Sequence, residues 1–405
     1  ISRQEMTLVS FKLSKSSLKP LLLCMLALLS ESALAEDWTW HGFVSQGVIQ
    51  ARESNFVNND GEVSARLSEV GLNSVYQIDS DLKLSGQLMY LNGGNRFVDG
   101  LRIDYLFLNW TPRNTLDWQL DLYAGRFKNM HWAYSSTRDV AMTRPLIVLP
   151  QSVYFDSFRD IAVGSDGLAV RSTHNLNIGE LEFIWSWGST PISRDMSSRV
   201  ISVDVTGETD QKFVHQASSY WRPTDSQMQW GISLLDSDFS YKKSALDRYF
   251  DGDFTTQRVM LNWRYSAERW ELTSELMQER VKVQGFIFPQ LLRNQFAQGA
   301  FLLGRYDWSE LTSWYLSYDY FIANKDNPSG SQLPLTSGGL IPSYFGYQRD
   351  AAISVDHELA ENLRLKIEYH WIEGTGRLGA NVVPDVVVNR SPTHDIWALQ
   401  LLYWF

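Results

Sequence analysis

Residues 126 to 166 concentrate charges of both signs among apolar side chains. The charged set is Arg126, Lys128, Arg138, Asp139, Arg144, Asp156, Arg159 and Asp160, and Thr143-Arg144-Pro145-Leu146-Ile147-Val148-Leu149-Pro150 runs through its middle. The residue types suit electrostatics more than bond-making. Fixed opposite charges can impose a field on a passing solute, or they can pair and pin the segment. Both readings stay open for each residue. Four consecutive aliphatic residues are unusual in a solvated loop, so this segment is expected to pack against an apolar surface. A catalytic reading finds no motif. The seven histidines include no His-Glu-x-x-His pair, there is no Gly-x-Ser-x-Gly elbow, and no phosphate-binding glycine loop occurs. No enzyme activity, catalytic residue, cofactor or metal is expected.

What must position these charges is a set of alternating strands. In Thr312 to Ala323, Trp314, Leu316, Tyr318 and Tyr320 alternate with Ser313, Tyr315, Ser317 and Asp319. In Leu363 to Ile372, Leu365, Ile367, Tyr369 and Trp371 alternate with Arg364, Lys366, Glu368 and His370. The polar faces supply a second group of candidates, lining a wet interior: Arg258, Arg264, Glu271, Glu275, Arg305, Asp319, Arg364, Lys366 and Glu368. Aromatics such as Tyr90, Tyr265, Trp270, Trp314 and Trp371 end the apolar faces, where an interfacial girdle would lie.

Sixteen such segments are expected, near 38–51, 63–78, 82–92, 101–111, 117–127, 166–174, 180–189, 211–221, 227–235, 257–266, 269–280, 294–307, 312–323, 346–357, 363–373 and 393–405. Short connections alternate with long ones, the long set including Asp236 to Thr256, Val281 to Arg293 and Asn324 to Phe345. Short turns on one side and long loops on the other fit a closed transmembrane barrel better than a soluble sandwich. The fold class is therefore all-β: an antiparallel barrel of about 16 strands. Its third external loop, Arg126 to Asp166, is expected to fold inward against strand four.

The first 35 residues read as a cleaved secretory signal. Lys12, Lys15 and Lys19 precede an apolar run from Leu21 to Leu29, which ends at Ser-Ala-Leu-Ala. The run is too short to span a bilayer. Residues 36–405 form the expected barrel. The one cysteine, Cys24, lies in the signal, so no internal disulfide is possible. Lys and Arg number 36 against 46 Asp and Glu, a net charge of −10 that does not fit a nucleic-acid partner.

The chain ends Ile396-Trp397-Ala398-Leu399-Gln400-Leu401-Leu402-Tyr403-Trp404-Phe405. This strand resembles the C-terminal signal read by the outer-membrane barrel-insertion machinery. The Gly125-Arg126-Phe127-Lys128 start and the stretch from Thr143 to Asp156 followed by Arg159-Asp160 resemble the Gram-negative porins of sixteen strands. The barrel pattern covers residues 36–405 and the loop motif about a tenth of the chain. The resemblance implies a multi-pass protein of the Gram-negative outer membrane, a homotrimer contacting lipid and lipopolysaccharide, and passive diffusion of small hydrophilic solutes. It also implies a constriction at the third loop. Two alternatives remain: a substrate-specific channel for small anions or other polar nutrients, and a surface adhesin or receptor barrel with no transport role.

Overall fold

The structure is a computed structural model and describes residues 37–162, 164–202, 204–379 and 391–405. The expected signal, residues 1–35, lies outside the described residues. Sixteen strands follow in order: β1 (Trp38–Arg52), β2 (Ser68–Gln77), β3 (Leu82–Asn92), β4 (Gly100–Asn114), β5 (Trp118–Lys128), β6 (Gly164–Leu176), β7 (Gly179–Ser189) and β8 (Glu208–Pro223). The second half is β9 (Met228–Lys242), β10 (Gly252–Ser266), β11 (Trp270–Gly285), β12 (Leu292–Ser309), β13 (Thr312–Ile322), β14 (Tyr347–Ala360), β15 (Leu363–Gly374) and β16 (Thr393–Trp404).

Every strand pairs antiparallel with its sequence neighbours, and β1 pairs with β16 to close the ring. Closure leaves no unpaired backbone edge, the condition for a sheet to persist in hydrocarbon. The last residue completes the seam. Phe405 N–H donates to Gly42 O at 3.0 Å, and Gly42 N–H donates back to Phe405 O at 3.1 Å. Gly42 lets the Phe405 ring lie over the backbone here; a Cβ would displace that ring.

Alternation divides each strand into two faces. In β13, Tyr315, Ser317, Asp319 and Phe321 are buried while Trp314, Leu316 and Tyr318 are exposed. The large exposed apolar side chains recur around the ring, as on Leu88, Trp110, Phe183, Trp230, Leu261, Leu276, Leu302, Ile367 and Leu401. A soluble domain does not expose so continuous an apolar band; a lipid-facing barrel does.

Two expected loops are shorter than their sequence suggested. The expected loop 236–256 narrows to 243–251, because Asp236, Asp238 and Asp253 are in the ladder, opposite Gln257, Thr255 and Ser240. The expected loop 281–293 narrows to 286–291. In both hairpins the strands continue beyond their apolar bands, so polar composition marked the end of the band and not the end of the strand. The third loop, residues 129–163, is long, as expected.

Candidate functional site: the third loop and the inner wall

The third loop begins where β5 ends and meets the inner wall almost at once. The His131 ring is fully buried, its two nitrogens 2.9 Å from Ser186 Oγ on β7 and Ser218 Oγ on β8. A neutral imidazole can donate with one nitrogen and accept with the other; burial pushes its pKa down to about 3. Its carbonyl accepts the Tyr220 hydroxyl at 2.5 Å.

From there the loop reaches strands all around the ring. Ala133 N–H donates to Glu275 on β11 at 2.9 Å, and the Tyr154 hydroxyl donates to the other oxygen of Glu275 at 2.6 Å. Ser152 N–H donates to Asp319 on β13 at 3.0 Å. The amides of Ile147 and Val148 both donate to Glu368 on β15, at 2.7 and 2.8 Å. Lys366 Nζ donates to Arg144 O at 2.5 Å. Arg144 forms a two-pronged pair with Glu69 on β2, one bond 2.9 Å and the other 2.5 Å long. Partners spread over β2, β7, β8, β11, β13 and β15 can be met together only from inside the ring, so the loop crosses the lumen.

The Leu-Ile-Val-Leu run has its apolar surface there, but that surface is not strand four, as expected; it belongs chiefly to β1, β16 and β10 to β12. Ile147 and Val148 pack with Ile49, Leu67, Ile396 and Ala398; Leu146 and Leu149 join Met260, Met277, Phe301 and Leu303. Burial of each such side chain is worth roughly 1.5–3 kcal/mol. The approach is close at β12: a Cβ on Gly299 would stand 3.0 Å from Ser152 Cβ.

The loop charges pair with one another and with neighbours missed by the sequence reading. Arg138 and Arg96 share the Asp156 carboxylate at 2.6 and 2.7 Å. Lys128 pairs with Asp104 and Asp139, and Arg159 also pairs with Asp139. Arg159 additionally lies 4.4 Å from the Phe97 ring centre. Burial alone would raise both loop carboxyls. Arg96, Arg138 and Arg159 instead hold Asp156 below its ordinary range, and Arg159, Lys128 and Arg102 hold Asp139 well below it. Burial brings Arg138 down to about 10 against the pull of Asp156.

These positions revise the expected constriction. Arg138, Asp139, Arg144, Asp156 and Arg159 are each 4 % exposed or less, so they hold the loop and offer little surface to a solute. Arg126 pairs with its β6 register partner Asp166 at 2.6 Å and lines a small cavity together with Lys128, Asp139 and Arg159. Asp160 sits in a short helix, Arg159–Ala162, and its side chain lies outside the described set.

The wall candidates divide by role. Glu275, Asp319, Lys366 and Glu368 anchor the loop. Arg305 and Arg364 line a cavity of about 400 Å³ at the short-turn end, with Asp307, Asp356 and Glu358. Glu271 is the register partner of Arg305, and Arg264 that of Thr273. Arg258 pairs with Glu279 at 2.7 Å and faces the Trp132 ring at 5.0 Å, bordering a second cavity of about 380 Å³ toward the long-loop end. The two cavities share no lining residue. The apolar cluster around Met260, Met277, Phe301 and Leu303 has Tyr315 facing the first cavity and Trp132, Val153 and Phe321 facing the second. That cluster therefore contributes lining residues to both cavities.

Sequence reasoning missed Glu69, Arg96, Asp104, Glu279 and Arg377. Glu69 carried a signal, as the one charged residue of β2. The others gain meaning only from their neighbours in space. Among the described residues, no three His, Cys, Asp or Glu side chains converge as a metal site.

Comparison with solved structures places this ring among known barrels. It is similar to the outer membrane channel DcaP of Acinetobacter baumannii, with a TM-score of 0.56, 12 % identity and coverage of 93 % of this chain and 99 % of that one. The fold is that of outer-membrane porins. OprB of Pseudomonas putida matches with a TM-score of 0.56 at 11 % identity, over 91 % of this chain and 94 % of that one. An anion-selective porin from Comamonas acidovorans matches with a TM-score of 0.54 at 11 % identity, over 91 % and 99 %. No protein-family model and no curated protein matches the chain in sequence.

Proposed function

We propose that this chain is an outer-membrane channel of a Gram-negative bacterium that passes small polar solutes passively. The observation that carries the reading is the combination of a closed sixteen-strand ring, apolar outside and polar inside, with a long loop held across its lumen. The third loop is buried in the lumen and not presented outward, as an adhesin's binding loop would be. The first 35 residues export the chain and are removed. Phe405 is the residue that the insertion machinery reads. The outward apolar band meets lipid and lipopolysaccharide, and three copies assemble.

Within this reading the passage is restrictive. Arg138, Asp139, Arg144, Asp156 and Arg159, expected at an eyelet, are buried in pinning the loop, and a cluster of apolar side chains contributes to the lining of both cavities. The geometry therefore favours a narrow solute class over general diffusion. Purified protein in a planar bilayer tests the proposal. Discrete conductance steps in KCl support a channel; a membrane that stays silent at high protein load refutes it.

A further inference from the structure

The cavity toward the long-loop end does not look like the wall of a general water-filled pore. Such a wall is polar, yet the inward positions here include Phe239, Phe254, Val281 and Val283, and the third loop adds Phe155 and Phe158. The charged side chains in its lining are Arg138, Arg258, Arg293 and Arg377 against Glu279 alone. Arg138 is answered by Asp156 and Arg258 by Glu279.

Arg377 differs from them. It is 7 % exposed, lies 3.6 Å from the Phe321 ring centre and 4.9 Å from that of Phe155, and donates to Ser152 O at 2.6 Å. No carboxylate among the described residues forms an ion pair with it, and its Nε finds no acceptor. Glu279 and Asp319 act on it only through their fields. The Nε of Arg258 is likewise buried without an acceptor. A buried guanidinium without an ion-pair partner is costly, and the cost is relieved when an anion arrives. Apolar walls beside cationic donors suit a solute with both characters.

We propose that this cavity binds small organic carboxylates with an apolar body, the carboxylate held by Arg377 and Arg258 and the body lying against Phe254, Val281 and Phe155. This names the solute class of the proposed channel and rests on that reading for the solute's passage once bound.

The probe is 4-phenylbutyrate, with acetate and 4-phenylbutan-1-ol as controls that lack the apolar body or the charge. In a bilayer carrying KCl current, 4-phenylbutyrate is expected to interrupt the current saturably, and neither control is expected to do so. Arg377→Gln should raise the half-blocking concentration at least about tenfold. Phe254→Thr, on a part-exposed wall residue, should do the same if Arg377→Gln fails to fold. Equal block by acetate and 4-phenylbutyrate, or no block of an intact current, overturns the proposal. If no KCl current appears, titration calorimetry in detergent separates the two ideas. Saturable heat with 4-phenylbutyrate that Phe254→Thr or Arg377→Gln removes would keep the site while the channel reading falls; no heat would refute the site as well.

Discussion

Two loops at the same end of the barrel carry aliphatic stretches, and they behave in opposite ways. The third loop buries Leu146, Ile147, Val148 and Leu149 to 4 % exposure or less. The loop at 323–346 leaves Leu335 82 % and Leu340 76 % exposed. Apolar content does not separate them. Charge does: the loop at 323–346 has only Lys325 and Asp326, at its start, while the third loop has Arg138, Asp139, Arg144, Asp156 and Arg159 through its length. Wall carboxylates stand ready for the third loop, Glu69 for the Arg144 guanidinium and Glu368, Asp319 and Glu275 for its amides. The exposed loop closes instead on itself, as in Leu333 N–H to Gly330 O and Gly339 N–H to Pro334 O. Apolar burial supplies energy without direction, and the paired charges and amides supply the register that fixes the third loop inside.

The contrast is easiest to break at its strongest anchor. Glu69→Ala leaves Arg144 buried and unpaired, which should weaken loop docking by about 3–5 kcal/mol. Limited proteolysis of the folded barrel should then cut between residues 129 and 163, where the unaltered protein resists. Glu368→Ala strands the Ile147 and Val148 amides, each at roughly 1–3 kcal/mol. Hydrogen exchange at those two amides should rise while exchange in β15 stays slow.

Acid should loosen the same loop. The His131 pKa is depressed when folded, so its stabilising effect is complete above the unfolded value of 6.5 and declines as pH falls from there toward about 3. The slope is about 1.4 kcal/mol per pH unit. Asp139 and Asp156, also depressed, add their losses only below their unfolded value of 3.8. Loop proteolysis followed against pH should therefore begin to rise near pH 6, and His131→Gln should remove the part above pH 4. The smallest effect belongs to the outer loop. Leu335→Ser should change thermal stability by less than about 0.5 kcal/mol, read from the melting curve.

Much of the fold was legible because the lipid and water faces impose a period of two on each strand. All sixteen segments overlap the strands that alternation predicts, although β2 begins at Ser68 and not at 63, and β9, β10, β11 and β12 run on past their apolar bands. Their outer ends stand clear of the apolar band, so Asp236 and Asp253 look like loop residues when read in sequence. The loop charges were also legible as a group, and their partners were not. Nothing local links Arg144 to Glu69, 75 residues away, or Ile147 to Glu368, 221 residues away.

If the anchored third loop sets the size of the passage, releasing it must widen the channel. Single-channel conductance tests this most directly, comparing the unaltered protein with a variant whose Leu146 to Leu149 stretch is replaced by Gly-Ser-Gly-Ser. Small, uniform steps are expected from the first and larger, noisier steps from the second. Equal steps from the two proteins would contradict the role given to the loop.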